Sequence, residues 1–217
     1  MKILQLCKKF PYPLKDGESI AVTYMSKALN ELGCDLSLLA MNTIKHYFNT
    51  QDLPENFDHY QFIETVKIDN RVKPKDAFFN LFKDESYHVS RFVSEEYKSK
   101  LIDILKKNTY DVIQLETLYL APYIPIIRQY SNAIIAMRSH NVEHEIWERI
   151  AENTKLLPKR LYLKHLTEKL KNFEIEQLNA YDIMVAITQR DLDLFRKLGF
   201  KNKGLVAPIG FDLDNYH

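Results

Sequence analysis

The feature that most constrains this chain is a repeated alternation. A short, unbroken apolar run is followed by a longer segment with apolar residues at helical spacing, and then by another apolar run. Residues 2–7 read as a buried strand, 20–32 as a helix closed by Gly33, and 36–41 as a second strand. The alternation returns in the second half. Residues 111–115, 133–137, 183–187 and 204–207 read as strands. Residues 118–130, 142–151, 159–180 and 188–198 read as helices, the last ending at Gly199. Strands that are apolar on both sides and joined by helices call for a parallel sheet with helices on both faces. The expected fold class is therefore α/β and Rossmann-like. The middle of the chain is less regular. Residues 60–68 alternate enough for a strand, 74–82 hold an aromatic cluster of Phe78, Phe79 and Phe82, and 89–107 have helical periodicity.

In such a sheet the ligand crevice lies at the carboxyl ends of the strands. Chemistry is therefore expected at residues 8–17, 116–119, 138–143 and 188–190. Several familiar chemistries are excluded at those places. The glycines are Gly17, Gly33, Gly199, Gly204 and Gly210. They form no dinucleotide fingerprint after the first strand, no phosphate-cradling loop with its lysine, and no hydrolase nucleophile elbow. A formal net charge of +1 gives no general drive toward nucleic acid, so no nucleic-acid partner is expected. Cys7 and Cys34 both sit in apolar runs and read as buried thiols, with no disulfide framework and no cysteine metal site. Lys8 and Lys9 close the first apolar run too early for a signal peptide, and no run is long enough to cross a bilayer. The expected location is cytoplasmic, at most peripheral to the inner face of a membrane. Residues 155–171 carry six basic side chains against one acid, Glu168, interleaved with leucines. That stretch either docks on an anionic membrane surface or shows solvent a basic back while its leucines face the core.

One metal pattern is present. His140-Asn141-Val142-Glu143-His144 fits the inverted zinc-peptidase motif, in which two histidines on one helix face grip zinc and the glutamate acts as base. That chemistry needs both histidines inside a helix. The spacing instead puts His140 in the loop after the strand 133–137, so no metal ligand is assigned.

The second half carries a more extended likeness. Arg138-Ser139-His140-Asn141-Val142-Glu143 lies at a strand-to-helix junction. Trp147-Glu148-Arg149, Pro158-Lys159-Arg160-Leu161-Tyr162 and Phe173-Glu174 follow, then Asp182, Thr188 and Val206-Ala207-Pro208-Ile209-Gly210-Phe211-Asp212. In that order the chain resembles glycosyltransferase family 4, whose enzymes have the two-domain B-type fold. The opening loop from Phe10-Pro11-Tyr12-Pro13 to Asp16-Gly17 fits too, although Gly17-Glu18 stands where the family often has two glycines. The resemblance implies that residues 1–210 are the N-terminal, acceptor-side domain and that 211–217 begin an interdomain linker. It also implies that the C-terminal, donor-binding domain is absent, leaving this chain alone inactive.

By the same resemblance the complete enzyme moves a sugar from a nucleoside diphosphate sugar to a glycan or lipid-linked acceptor, retaining the anomeric configuration. No cofactor is required, because the leaving phosphate takes the acceptor proton while the protein positions and stabilises charge. His140 is the implied catalytic residue, beside the transferred sugar; read locally, it caps the next helix through its loop. Arg138 faces the diphosphate or pairs with Glu116 or Glu143. Glu116 binds an acceptor hydroxyl or is a solvated loop carboxylate. Asp16 and Gly17 line the cleft or simply turn the chain into the first helix. Asn141 and Glu143, at the same junction, are implied to line the donor or acceptor cleft. Thr188, three residues before Asp191, lines the cleft or, read locally, caps the helix that follows. A stand-alone carbohydrate- or protein-binding module is the competing reading, with the zinc hydrolase a remote third.

Overall fold

The structure, a computed structural model, describes residues 1–210, the side chains of Pro74 and Phe78 excepted. The segment 211–217, where the linker is expected to begin, lies outside the described residues. Seven strands form one sheet: β1 (Lys2–Cys7), β2 (Asp35–Thr43), β3 (Phe62–Ile68), β4 (Val112–Leu115), β5 (Ile134–Ser139), β6 (Ile183–Ala186) and β7 (Lys203–Val206). Their order is β3-β2-β1-β4-β5-β6-β7, and each neighbouring pair is parallel. The order reverses direction at β1, between β2 and β4. This is the Rossmann-like α/β sheet expected from the alternation.

The sheet is buried on both faces because its strands are apolar on both. Side chains alternate along a strand, so Leu4, Leu6, Leu39 and Met41 join one core cluster. Ile3, Cys7, Leu36, Leu38 and Ala40 join the other. Both cysteines are free and buried. Burial pushes the Cys7 thiol well above its ordinary range.

The helices are α1 (Gly17–Glu31), α2 (Pro74–Asn80), α3 (Tyr87–Ser90), α4 (Glu95–Lys107), α5 (Ile124–Tyr130), α6 (Glu143–Glu152), α7 (Leu157–Gln177) and α8 (Gln189–Lys197). Helix α1 starts where the Asp16 carboxylate accepts from the Ser19 N–H, and α8 starts where Thr188 accepts from the Asp191 N–H. Gly33 and Gly199 end these two helices at φ 80° and 110°, a backbone region that side chains with a Cβ avoid.

Two expected helices are broken. The periodic stretch 89–107 divides, because Ser94 turns the chain and caps α4 by accepting from the Tyr97 N–H. The stretch 118–130 opens as a 3-10 turn over Leu118–Tyr123 before α5 begins. Pro122 and Pro125 supply no N–H to a regular helical ladder. Among the described residues no helix is long and apolar enough to cross a membrane.

Candidate functional site

The sheet carries a buried polar column near its reversal point. Gln5 in β1 lies beside Gln114 in β4, residue against residue. Their amides both donate to Oε1 of Glu116, Gln5 at 2.6 Å, and the Tyr60 hydroxyl donates to the Gln5 carbonyl at 2.5 Å. Glu116 directly follows β4 and has no exposed surface. Its other oxygen, Oε2, accepts from Arg138 at 3.2 Å and meets Nε2 of His140 at 2.9 Å. The expected solvated loop carboxylate is therefore corrected. Tertiary packing buries Glu116 among Gln5, Gln114, Arg138 and His140, where only paired charge is tolerated.

Arg138, near the end of β5, is 1% exposed. Its Nη1 donates to the Ala21 carbonyl of α1 at 2.9 Å as well as to Glu116. Of the roles considered for Arg138, the ion pair with Glu116 is realised. Burial alone would raise the Glu116 carboxyl, but the Arg138 charge and the His140 hydrogen bond hold it at about 2. Glu116 is thus a fixed anion at the mouth of the sheet.

His140 is the residue after β5 and three before α6. An ionised carboxylate only accepts, so the His140 Nε2 facing it carries the proton. Nδ1 is then left for a ligand, and no protein group takes it among the described residues. Glu116 fixes the ring in the way a carboxylate orients a functional histidine. The expected helix cap by His140 does not form.

A second buried group adjoins the first. Glu143, the first residue of α6, accepts from the Tyr119 hydroxyl at 2.9 Å, and Trp147 Nε1 donates to that hydroxyl at 3.3 Å. Burial raises the Glu143 carboxyl, with Lys8 and Tyr119 opposing. The α6 N-terminus is capped from another helix: Glu174 of α7 accepts from the N–H groups of Glu143 at 3.0 Å and His144 at 3.2 Å. The same carboxylate meets His144 Nδ1 at 2.5 Å. The zinc-peptidase geometry is thus not formed. His140 lies outside the helix, and the two histidines go to different carboxylates. Among the described residues no cluster of side chains is arranged to hold a metal.

The remaining candidates are spread around this centre. Asp16 bonds Lys9 at 2.5 Å and caps α1. Burial opposes its ionisation, but those two bonds lower its carboxyl. Gly17 is exposed, and a Cβ there would meet nothing within 4 Å. Asn141 is exposed and accepts from Ser139 through its backbone carbonyl at 2.7 Å. Thr188 is exposed and serves as a cap. Sequence reasoning missed Gln5, Gln114, Tyr60 and the capping role of Glu174. A signal for the first two was available: one polar residue interrupts each of the apolar runs KILQLC and VIQL. Beside this centre a cleft of about 850 Å³ opens at the carboxyl ends of β1 to β4, lined by Lys8, Tyr119 and Trp147 among others.

A comparison with family models gives no match, and neither does one with curated proteins. Solved structures do match. Sucrose-phosphate synthase from Thermosynechococcus elongatus aligns with a TM-score of 0.59 at 15% identity, over 99% of this chain and 49% of its own. HepE from Anabaena, in complex with UDP-glucose, aligns with a TM-score of 0.55 at 14% identity, over 99% of this chain and 45% of its own. UGT2 from Phytolacca americana, complexed with UDP-2fluoro-glucose and pterostilbene, gives 0.53 at 10% identity, over 99% of this chain and 56% of its own. At these identities the likeness is one of fold. The chain spans about half the length of these proteins, and its Rossmann-like sheet is the counterpart of one half of each.

Proposed function

We propose that this chain is the N-terminal, acceptor-side half of a retaining glycosyltransferase that uses a nucleoside diphosphate sugar. The observation that carries the reading is the Arg138–Glu116–His140 relay at the sheet's reversal point. It presents one oriented imidazole at the place where such folds bind ligands. The fold neighbours solved with UDP sugars support the donor class. His140 hydrogen-bonds the transferred sugar through Nδ1. Glu116 keeps the ring aimed, and buried Arg138 keeps Glu116 charged.

A second domain supplies the diphosphate contacts, consistent with the half-length alignments. The acceptor is a glycan or lipid-linked saccharide. Exposed Leu156, Leu157 and Leu161 at the start of α7, with Lys155 and Lys159 beside them, give 155–171 a surface able to rest on an anionic membrane. No cofactor or metal enters the reaction, which proceeds on one face of the donor sugar.

The test is donor hydrolysis and transfer by the protein of the complete reading frame, beside this 217-residue chain, with a panel of nucleotide sugars. The expected result is turnover by the long form, none by the short one, and loss of about a hundredfold or more in His140→Ala while the fold is kept. If no donor is bound or consumed by either form, a stand-alone binding module is the better account.

A further inference from the structure

We propose that the cleft at the carboxyl ends of β1 to β4 takes an anionic saccharide acceptor, a sugar that carries a phosphate or diphosphate. This rests on the acceptor-side reading above and names the acceptor's class. The first support is charge. The cleft lining includes Lys8, Lys45, Arg71, Arg91 and Lys159, and no aspartate or glutamate among the described residues. Lys8 is matched by Glu18 at 3.4 Å and Arg71 by Asp69 at 2.8 Å. Lys45, Arg91 and Lys159 have no carboxylate partner among the described residues. In a chain with a formal charge of only +1, this concave surface is therefore locally basic.

The second support is a pair of buried polar groups left open. His88, on α3, is 3% exposed and lines the cleft, yet neither ring nitrogen has a partner. Burial, reinforced by the charge of Arg91, lowers His88 to about 4, so its ring is neutral at pH 7 and offers one donor and one acceptor. The Nε of Arg91 is also buried without a partner. Most buried polar atoms in folded proteins have a partner, and here unpartnered ones on two neighbouring side chains line one cleft, a place for ligand oxygens.

The third support is aromatic. The Trp147 ring lies 3.8 Å from His88, and Tyr87, Phe92 and Tyr119 complete the wall. Such faces suit the C–H side of a sugar, while the cations suit its phosphate. Tyr119 also donates to Glu143, three residues after His140 in the chain. The phosphate has two sources: a soluble glycosyl phosphate, or a sugar on a lipid diphosphate.

Trp147 is the only tryptophan, so its emission reports this cleft directly. The 217-residue chain is titrated with glucose 1-phosphate, with methyl glucoside, and with neutral phosphatidylcholine vesicles with and without a glucosyl prenyl diphosphate. The expected result is a saturable change with a phosphate-bearing sugar and a much weaker one with methyl glucoside. Lys159→Gln, at an exposed position that leaves the fold intact, and Arg91→Gln each weaken the binding about tenfold, the effect of one lost charge-assisted bond. A response to glucose 1-phosphate identifies the soluble source, and a response only to the prenyl diphosphate vesicles identifies the lipid one. Methyl glucoside binding as tightly as its phosphate, or both variants binding unchanged, overturns the anionic class and leaves the acceptor-side reading standing. If no saccharide moves Trp147 in any form, the proposal for this cleft falls, while the transferase reading is decided separately by donor turnover in the long form.

Discussion

Replacing Arg138 by methionine tests the electrostatic core of the site. Methionine keeps much of the volume but removes the cation that Glu116 faces at 3.2 Å, and Glu116 has no exposed surface. Breaking one side of a buried pair costs about 3–5 kcal/mol. The pH profile sharpens the test. In the native protein Glu116 is depressed from 4.5 to about 2, which corresponds to about 3 kcal/mol. A depressed carboxyl contributes its full stability above its unfolded value. That stability is lost as pH falls through the folded value, here between about 4.5 and 2. Without Arg138 the carboxyl moves up, since burial then dominates, and Glu116 takes a proton on mild acidification. The deficit of Arg138→Met should therefore be largest at pH 7 and shrink toward pH 4.5. Urea denaturation of both proteins at pH 7, 5.5 and 4.5 measures this. A deficit under about 1 kcal/mol at pH 7, the size of a surface ion pair, would refute the reasoning. So would a deficit that does not change with pH.

Glu174→Ala should destabilise the fold by about 2 kcal/mol or more, measured by the urea midpoint, because two buried N–H groups at the start of α6 lose their acceptor. Introducing a capping residue by Val142→Ser should not recover it fully, since His144 also loses its partner. Asp16→Ala should cost about 1 kcal/mol at pH 7 through loss of the α1 cap. The Asp16 carboxyl is lowered from 3.8, so its contribution is fully present above that value and is lost as pH falls through the lower folded value; native and variant midpoints should draw together as pH falls below 3.8. A cost that stays unchanged through acidification below 3.8 would place the effect elsewhere than in the charge and its cap.

Parts of the site were legible in the sequence, for a physical reason. Residues following an apolar run must sit at the end of a buried strand, so the neighbourhood of His140 and Arg138 followed from periodicity alone. Glu116 was found by the same rule, but its state was not. Whether a carboxylate after a strand is solvated depends on what packs against it, and one of its partners, Gln5, is 111 residues away in the chain. Gln5 and Gln114 were passed over because a single polar residue barely disturbs an apolar run. Glu174 was seen only as an available acid. Its capping of α6 depends on how α7 folds back beside α6.

The alternation of short apolar runs with amphipathic stretches determined by itself that this chain builds a parallel, two-sided sheet. Backbone periodicity and burial on both faces leave little other choice. Glycines that tolerate left-handed backbone, and oxygens suited to capping, likewise set several helix ends locally. Only the tertiary structure decided which charges meet. Ion pairing inside the sheet depends on strand order and register. These bring Gln5, Gln114, Glu116, Arg138 and His140 from three separate strands to one buried point, and make of them a single oriented imidazole.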